Sequence, residues 1–550
     1  MLSSPSSIQQ TQADQAKSFY HAIFENSSDE RYAISDTEPL LIDGLNPEQH
    51  YSFQQLRQHV ITLSAVLRDE QPFHVKKGDV VTVYAPNHID FMVAMHGVMA
   101  AGAIAAILPI ECKTSQEVAD ICKQASPTLA VVHATTLETM QNALATCMMT
   151  NIQIIVISQD ANHDPKNGIY SLQKLIEQPR DAEAMVMDPE DIAMTFCTSG
   201  TTGPRKLAAI SHGASALRPK SMSLPPIRDK TNSYMSFQPI SLVVGNTTTN
   251  LRISERSRTI VCKTPIHFEK ICALIEQFKI EHASAPMWTL LDFVHNPVVN
   301  KYDLSSLKGL VSGGQYVPHA VMEAVKDRIN ADVVSIYGST EIWRVSSTSL
   351  YDDSPEGYEG QIVIGRENLR VVDEDGNDAA VGQPGELWVR NPKLVASRYY
   401  NNPEATAKAF RADGYYRTGD YFVVDKDGNY QFRGRMSDRI RTKGKTFPPA
   451  FLEDLCHQYS DKIKECCVVG AYSTQLGYEL PRAYVVLLED YEKNQQAFLD
   501  GLVSFVNDRV PQAEMKLTGG VKCLANLPLT KSDKIDRFRL RGIAQEEINQ

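Results

Sequence analysis

Between residues 52 and 133 the chain alternates without a break between helical and strand-like patterns, and that alternation restricts the fold more than any other feature. Residues 52–67 place Phe53, Leu56, Val60, Leu63 and Leu67 near the spacing of one helix face. A short apolar strand follows at 79–84, then a helix at 90–100, a strand at 104–108, a helix at 115–124 and a strand at 128–133. Parallel strands can be joined only by crossovers, so repeated βα units of this length call for a parallel or mixed sheet covered by helices. The apolar stretch 91–110 is interrupted by His96 and rich in small residues. It reads as a buried helix leading into a strand, not as a membrane span. The middle of the chain repeats the pattern, with helices at 268–278 and 287–294 and strands at 309–311 and 333–336.

From about Gln361 short strands alternate with turns: IVIGR, LRVVDEDGND, GELWVR and YFVVDKDGNYQFRG. DEDGN and DKDGN are tight-turn sequences, because Asp and Gly adopt the backbone angles that such turns require. Beyond Arg435 comes a compact α+β tail, with strands at 465–470 and 483–488 and a helix at 494–506. The expected fold class is therefore α/β. A large N-terminal domain of βα-layered sheets (1–435) includes a small β-rich subdomain (about 361–435), and a smaller α+β C-terminal domain (436–550) follows.

A formal charge of −11 over 550 residues argues against non-specific attraction to nucleic acid, which needs a basic footprint. Ten cysteines without a CxxC pair or a Cys/His cluster fit a reducing cytosol, so the expected location is cytoplasmic. The first twenty residues read as a polar lead-in.

The segment most informative about chemistry is TSGTTGPRK, residues 198–206, lying between strand patterns at 192–197 and 207–210. Its glycines let backbone N–H groups turn toward one point, Ser199, Thr201 and Thr202 add hydroxyls, and Lys206 adds positive charge. An exposed hairpin turn could share this composition, but a run of glycines and hydroxyls ending in a basic pair exceeds what a turn needs. The order is not that of a Walker A loop, which ends Gly-Lys-Ser/Thr and opens a helix. Polyphosphate binding is the expectation.

TSGTTGPRK resembles the signature loop of the acyl-adenylate-forming superfamily, which includes acyl-CoA synthetases, 4-coumarate–CoA ligase, luciferases and peptide-synthetase adenylation domains. HYSFQQL, AAGAIAAILPI, YGSTE (337–341), GELWVR, YYRTGD (415–420), GRMSDRIRTKG and LPLTKSDKIDR continue the likeness in order, so that it covers residues 51–537. The resemblance implies ATP- and Mg2+-dependent conversion of a carboxylic acid to an acyl-AMP, then transfer to a thiol, coenzyme A first among the candidates.

It also implies site residues. Thr198, Ser199, Gly200, Thr201, Thr202, Gly203 and Lys206 would cradle phosphates. Tyr337 and Gly338 would lie against adenine, with Gly314 of SGGQ alongside. Thr340 would bond the α-phosphate, Glu341 would hold magnesium, and Asp420 and Arg435 would take the ribose. Lys534 would reach the forming bond between carboxylate and α-phosphate. Near Ser437 the mobile tail domain would swing, and Arg441, Lys443 and Gly444 would then meet the thiol substrate. Several of these are ordinary on their own: Tyr-Gly is also a turn, SGGQ also ends a strand, and most lysines are solvated.

The chain departs from the family pattern at Leu207, where glycine is usual, at Leu242, where a histidine is often found, at Asp533 before the lysine, and at the hinge residue Ser437. Two alternatives stand beside the coenzyme A reading: loading of a carrier protein, because LPLTKSDKIDR resembles peptide-synthetase domains, and, from these departures, a catalytically weak ligand-binding relative. Met287, Trp288, Val243 and Val244 hint at an apolar cavity for an aromatic or aliphatic acid, though core packing accounts for them slightly better.

Overall fold

The computed structural model describes residues 18–25, 34–149, 151–158, 163–198, 205–220, 233–263, 266–314, 317–352, 357–391, 395–460, 462–488, 495–530 and 535–549. Most of the lead-in lies outside them. Its last residues are not a polar tail: Ser18 caps the helix Phe19–Phe24, and Phe19 and Tyr20 are buried.

The predicted helices begin within one residue of where periodicity put them, and the caps of two of them show what fixes the start. Ser52 is the cap of Phe53–Asp69, its hydroxyl accepting from the Gln55 N–H while its own N–H donates to the Gln55 amide oxygen. Thr114 and Glu117 form the same reciprocal pair ahead of Ser115–Ala125. Such boxes satisfy N–H groups that the first turn leaves unpaired.

Two large sheets result. One has eight strands, with Val80–Tyr84, Ile104–Ile107, Leu129–His133 and Gln153–Ile157 pairing in parallel. At its other side Ile192–Cys197 runs parallel to Ile104–Ile107 and turns back as an antiparallel hairpin into Leu207–Ser211. The second sheet has nine strands and contains Gly309–Gly313, Asp332–Ser339 and Trp343–Thr348. Every residue of the helix Ile89–Ala100 is buried. His96, the break in the apolar run, pairs its Nε2 with Asn250 Oδ1 at 2.7 Å, and burial pushes its imidazole down to about 4, so it is a neutral core residue. No helix among the described residues is long and apolar enough to cross a membrane.

A four-stranded antiparallel sheet joins Leu369–Val372, Pro384–Val389, Tyr416–Val424 and Tyr430–Arg435. Both expected turns form, the Asp373 N–H donating to the Asn377 carbonyl and the Asp425 N–H to the Asn429 carbonyl, with Gly376 and Gly428 at positive φ. The neighbouring short strands do not join this small sheet. Gln361–Ile362 pairs with the nine-stranded sheet and Arg398–Tyr399 with the eight-stranded one. Alternation marks a strand without choosing its sheet, and that choice is made by distant partners.

The tail forms its own layer. The hairpin Ile463–Ser473 and Tyr478–Leu487, joined in parallel by Val521–Cys523, packs against the helices Ala450–Tyr459, Gln495–Asn507 and Arg537–Asn549.

Candidate active site

Three of the sequence motifs end on one cleft of about 1280 Å³, lined by Thr198, Lys206, Glu341 and Asp420 among others. Thr198 and Lys206 stand at the mouth of the 192–211 hairpin, where the Thr198 N–H donates to the Lys206 carbonyl at 2.8 Å and closes the base of the loop. Ser199, Gly200, Thr201, Thr202 and Gly203 lie outside the described residues. The Lys206 ammonium sits 4.9 Å above the ring of Tyr399.

Glu341 is buried, and each of its oxygens is held: Tyr399 donates its hydroxyl to Oε1 at 2.7 Å and Ser339 donates to Oε2 at 2.9 Å. Burial and the adjacent Glu341 hold the Tyr399 hydroxyl far above the usual phenol range, so it remains a donor. A hard carboxylate fixed in this way suits Mg2+, which is usually bound through one or two carboxylates with substrate phosphates completing its shell. Among the described residues no group of three or more metal-ligating side chains occurs. Thr340 also lines the cleft, and its carbonyl accepts from the buried Arg218 guanidinium at 3.3 Å.

Asp420 and Arg435 face each other across adjacent strands, with Arg435 Nε 2.8 Å from Asp420 Oδ1. Tyr337 donates its hydroxyl to Asp420 Oδ2 at 2.7 Å, which ties the YGSTE strand to the RTGD strand. Its ring packs edge-on against Phe422, with Phe432 beside it. Tyr337 is therefore adjacent to the cleft through Asp420, whereas Gly314, Gly338 and Arg435 line the cleft directly. Gly338 has a steric reason to be glycine: a Cβ there would come 1.8 Å from the Trp343 carbonyl oxygen, where the paired strands shift register.

The RTGD segment is pinned by GELWVR. Arg417 donates to Glu386 Oε2 from Nε and Nη2 at 2.9 and 2.7 Å, and the Gly419 N–H donates to Oε1 at 3.1 Å. Sequence reasoning missed Tyr399, Ser339 and Glu386 as supports. Ser339 and Glu386 lay inside quoted motifs, but Tyr399 has no local signal. It reaches Glu341 because Arg398–Tyr399 pairs with Ala208 and Ala209.

Leu242 lines the cleft at the start of the helix Val243–Ser254, so the position where a histidine is often found is apolar here. Val243, Val244, Met287 and Trp288 line it too, while packing against the cores behind them. Arg441, Lys443 and Gly444 lie away from the cleft on an exposed hairpin of the tail domain. There the Arg441 N–H donates to Glu479 and Lys443 covers the Tyr478 ring. Ser437 is at the cleft's edge, and its carbonyl accepts from Arg541 of the last helix. Lys534 and Asp533 lie outside the described residues.

Residues 27–400 match the AMP-binding enzyme family, and residues 457–534 match the AMP-binding enzyme C-terminal domain. The chain belongs to the AMP-binding enzyme family, a superfamily of AMP-forming ligases, and its class is that of the acid–thiol ligases. It is 25% identical over 523 residues to a probable 4-coumarate–CoA ligase of Dictyostelium discoideum, covering 92% of each chain. Over 512 residues it is 26% identical to a probable CoA ligase of Humulus lupulus, covering 91% of this chain and 89% of the relative. Its fold superposes on an anthranilate CoA ligase solved with anthranoyl-AMP, with a TM-score of 0.81 at 22% identity, over 96% of this chain and 98% of that one.

Proposed function

We propose that this enzyme activates a carboxylic acid with ATP and Mg2+, releasing pyrophosphate, and then transfers the acyl group from AMP to the thiol of coenzyme A. The observation that carries this reading is the convergence of Thr198, Lys206, Glu341 and Asp420 on one cleft.

In the first half-reaction a carboxylate oxygen attacks the α-phosphorus of ATP, and the bond to the β-phosphate breaks. The hairpin mouth at Thr198 and Lys206 holds the polyphosphate that leaves. Glu341, oriented by Tyr399 and Ser339, would hold a magnesium ion, which would supply positive charge against the phosphates. Thr340 donates its hydroxyl toward the α-phosphate. Asp420, an acceptor-only carboxylate held by the Tyr337 hydroxyl and the Arg435 charge, takes the ribose hydroxyls. Lys534 supplies an ammonium group where negative charge builds in the transition state. In the second half-reaction the thiol attacks the acyl carbonyl and AMP departs. Rotation of the tail domain about Ser437 brings Arg441, Lys443 and Gly444 to the thiol substrate's phosphates.

The relatives' names support coenzyme A as the acceptor, since both are described as CoA ligases. The test is carboxylate-dependent exchange of labelled pyrophosphate into ATP across a panel of acids, followed by addition of coenzyme A. Exchange that is followed by coenzyme A consumption is expected. Exchange without consumption would point to a carrier-protein acceptor, and no exchange with any acid would overturn the assignment of an active ligase.

A further inference from the structure

One arginine of the cleft is buried and meets no carboxylate among the described residues. Arg344 lies on the strand Trp343–Thr348, three residues beyond Glu341, lines the cleft and is only 6% exposed. Its Nε and Nη1 are closed off from solvent and meet no hydrogen-bond acceptor among the described residues. The other cleft arginines differ. Arg435 is paired with Asp420, and Arg417 with Glu386. Arg218, behind the cleft, donates to the Thr340 carbonyl and feels the charge of Glu341.

Burial brings the Arg344 guanidinium down to about 10, with no acid opposing the shift, and it remains charged at neutral pH. Keeping a buried guanidinium with two unpaired nitrogens is costly, and a ligand that completes it offsets that cost. The guanidinium fork matches a carboxylate with two parallel bonds, which makes arginine the suited partner for that group.

The surroundings limit which group of the ligand this is. Phosphate contacts are supplied by the hairpin mouth at Thr198 and Lys206, and the ribose has Asp420. The cleft is otherwise walled in part by Leu242, Val243, Met287 and Trp288, side chains that suit an acyl chain. A buried cation lining the same cleft as these apolar walls fits a chain that is apolar in its middle and anionic at its far end.

Resting on the ligase reading above, we propose that the acid activated by this enzyme carries a second anionic group, a dicarboxylic acid in the simplest case, and that Arg344 pairs with that distal carboxylate. Arg344 is thus a specificity residue. The carboxylate that reacts is the other one.

The experiment compares straight-chain dicarboxylic acids of four to ten carbons with monocarboxylic acids of equal length in pyrophosphate exchange. It uses the wild-type chain and the variants Arg344→Met and Arg344→Lys. In the wild type, kcat/KM for the best dicarboxylate should exceed that of its matched monoacid by about tenfold or more. Arg344→Met should lose about 100-fold on the dicarboxylate, mainly in KM, as expected when one partner of a buried charge pair is removed. The same variant should gain on the monoacid and leave the ATP KM unchanged, while Arg344→Lys should fall between.

A wild-type preference for monoacids overturns the proposal, as does an equal loss on both acid series. A change confined to the ATP KM would assign Arg344 to the triphosphate and also overturn it. Should Arg344→Met fail to fold, the wild-type panel and Arg344→Lys decide. A thermal-shift titration of the wild type with each dicarboxylate separates the two readings. Stabilisation by a dicarboxylate but not by its monoacid, without exchange on any acid, would sustain the anion site while removing the ligase assignment. Exchange on monoacids with no dicarboxylate stabilisation would do the reverse.

Discussion

Asp420→Asn isolates the charge at the point where the YGSTE and RTGD strands meet. The wild-type carboxylate is 3% exposed, accepts a hydrogen bond from Tyr337 at 2.7 Å and is ion-paired with Arg435 at 2.8 Å. Asparagine keeps the shape and one acceptor oxygen but replaces the other with a donor. For stability the loss is small, because Arg435 is 45% exposed and its ion pair is screened; about 1 kcal/mol is expected, or roughly 2 °C in Tm for a domain of this size. Release of a buried charge partly offsets even that.

For ATP the effect is larger. Two ribose hydroxyls lose a charged acceptor, and hydrogen bonds to charged groups exceed neutral ones by about 1 kcal/mol each. One bond is further reversed in polarity, so the total comes to about 2–3 kcal/mol, or roughly 30- to 150-fold in the ATP KM. The assay is pyrophosphate exchange with ATP titrated at saturating acid, run beside a melting curve. An ATP KM within threefold of wild type, with a lowered Tm, would refute the reasoning and leave Asp420 as a structural partner of Arg435.

Gly338→Ala forces a Cβ to within 1.8 Å of the Trp343 carbonyl oxygen. The strands must part, which should cost about 2–4 kcal/mol by chemical denaturation and displace Thr340 and Glu341 enough to depress exchange. Glu359 is buried, and desolvation, reinforced by the Asp420 charge and opposed by the Ser346 hydroxyl, moves its carboxyl from 4.5 to about 7. Between those two values the unfolded chain has released a proton that the folded chain retains, so stability falls as pH rises through this window and levels off above it. Glu359→Gln should therefore flatten the stability–pH curve between pH 4.5 and 7 and gain up to about 3 kcal/mol at pH 8; a curve still falling in the variant would exclude Glu359 as its source. Lys534→Ala should depress acyl-AMP formation by at least about 100-fold with little change in Tm, and near-normal exchange would remove Lys534 from the chemistry.

The local chain determined a good deal. Helical periodicity at Phe53, Leu56, Val60 and Leu63, the Ser52 and Thr114 caps, and the DEDGN and DKDGN turns place elements correctly because they depend on residues within one or two turns of each other. Thr198, Lys206, Glu341 and Asp420, which line one cleft, were singled out for a related reason: they sit at a loop or a strand end, and both have short sequence signatures. Tertiary structure alone decided the pairing of Arg398–Tyr399 with Ala208 and Ala209, which brings Tyr399 to Glu341 across 58 residues of chain. It alone decided that Tyr337 bonds Asp420 across 83 residues, and that Arg344 is buried and meets no carboxylate among the described residues. Burial and charge pairing are properties of what surrounds a side chain in space, and an arginine read in sequence carries no mark of whether water or another residue will face it.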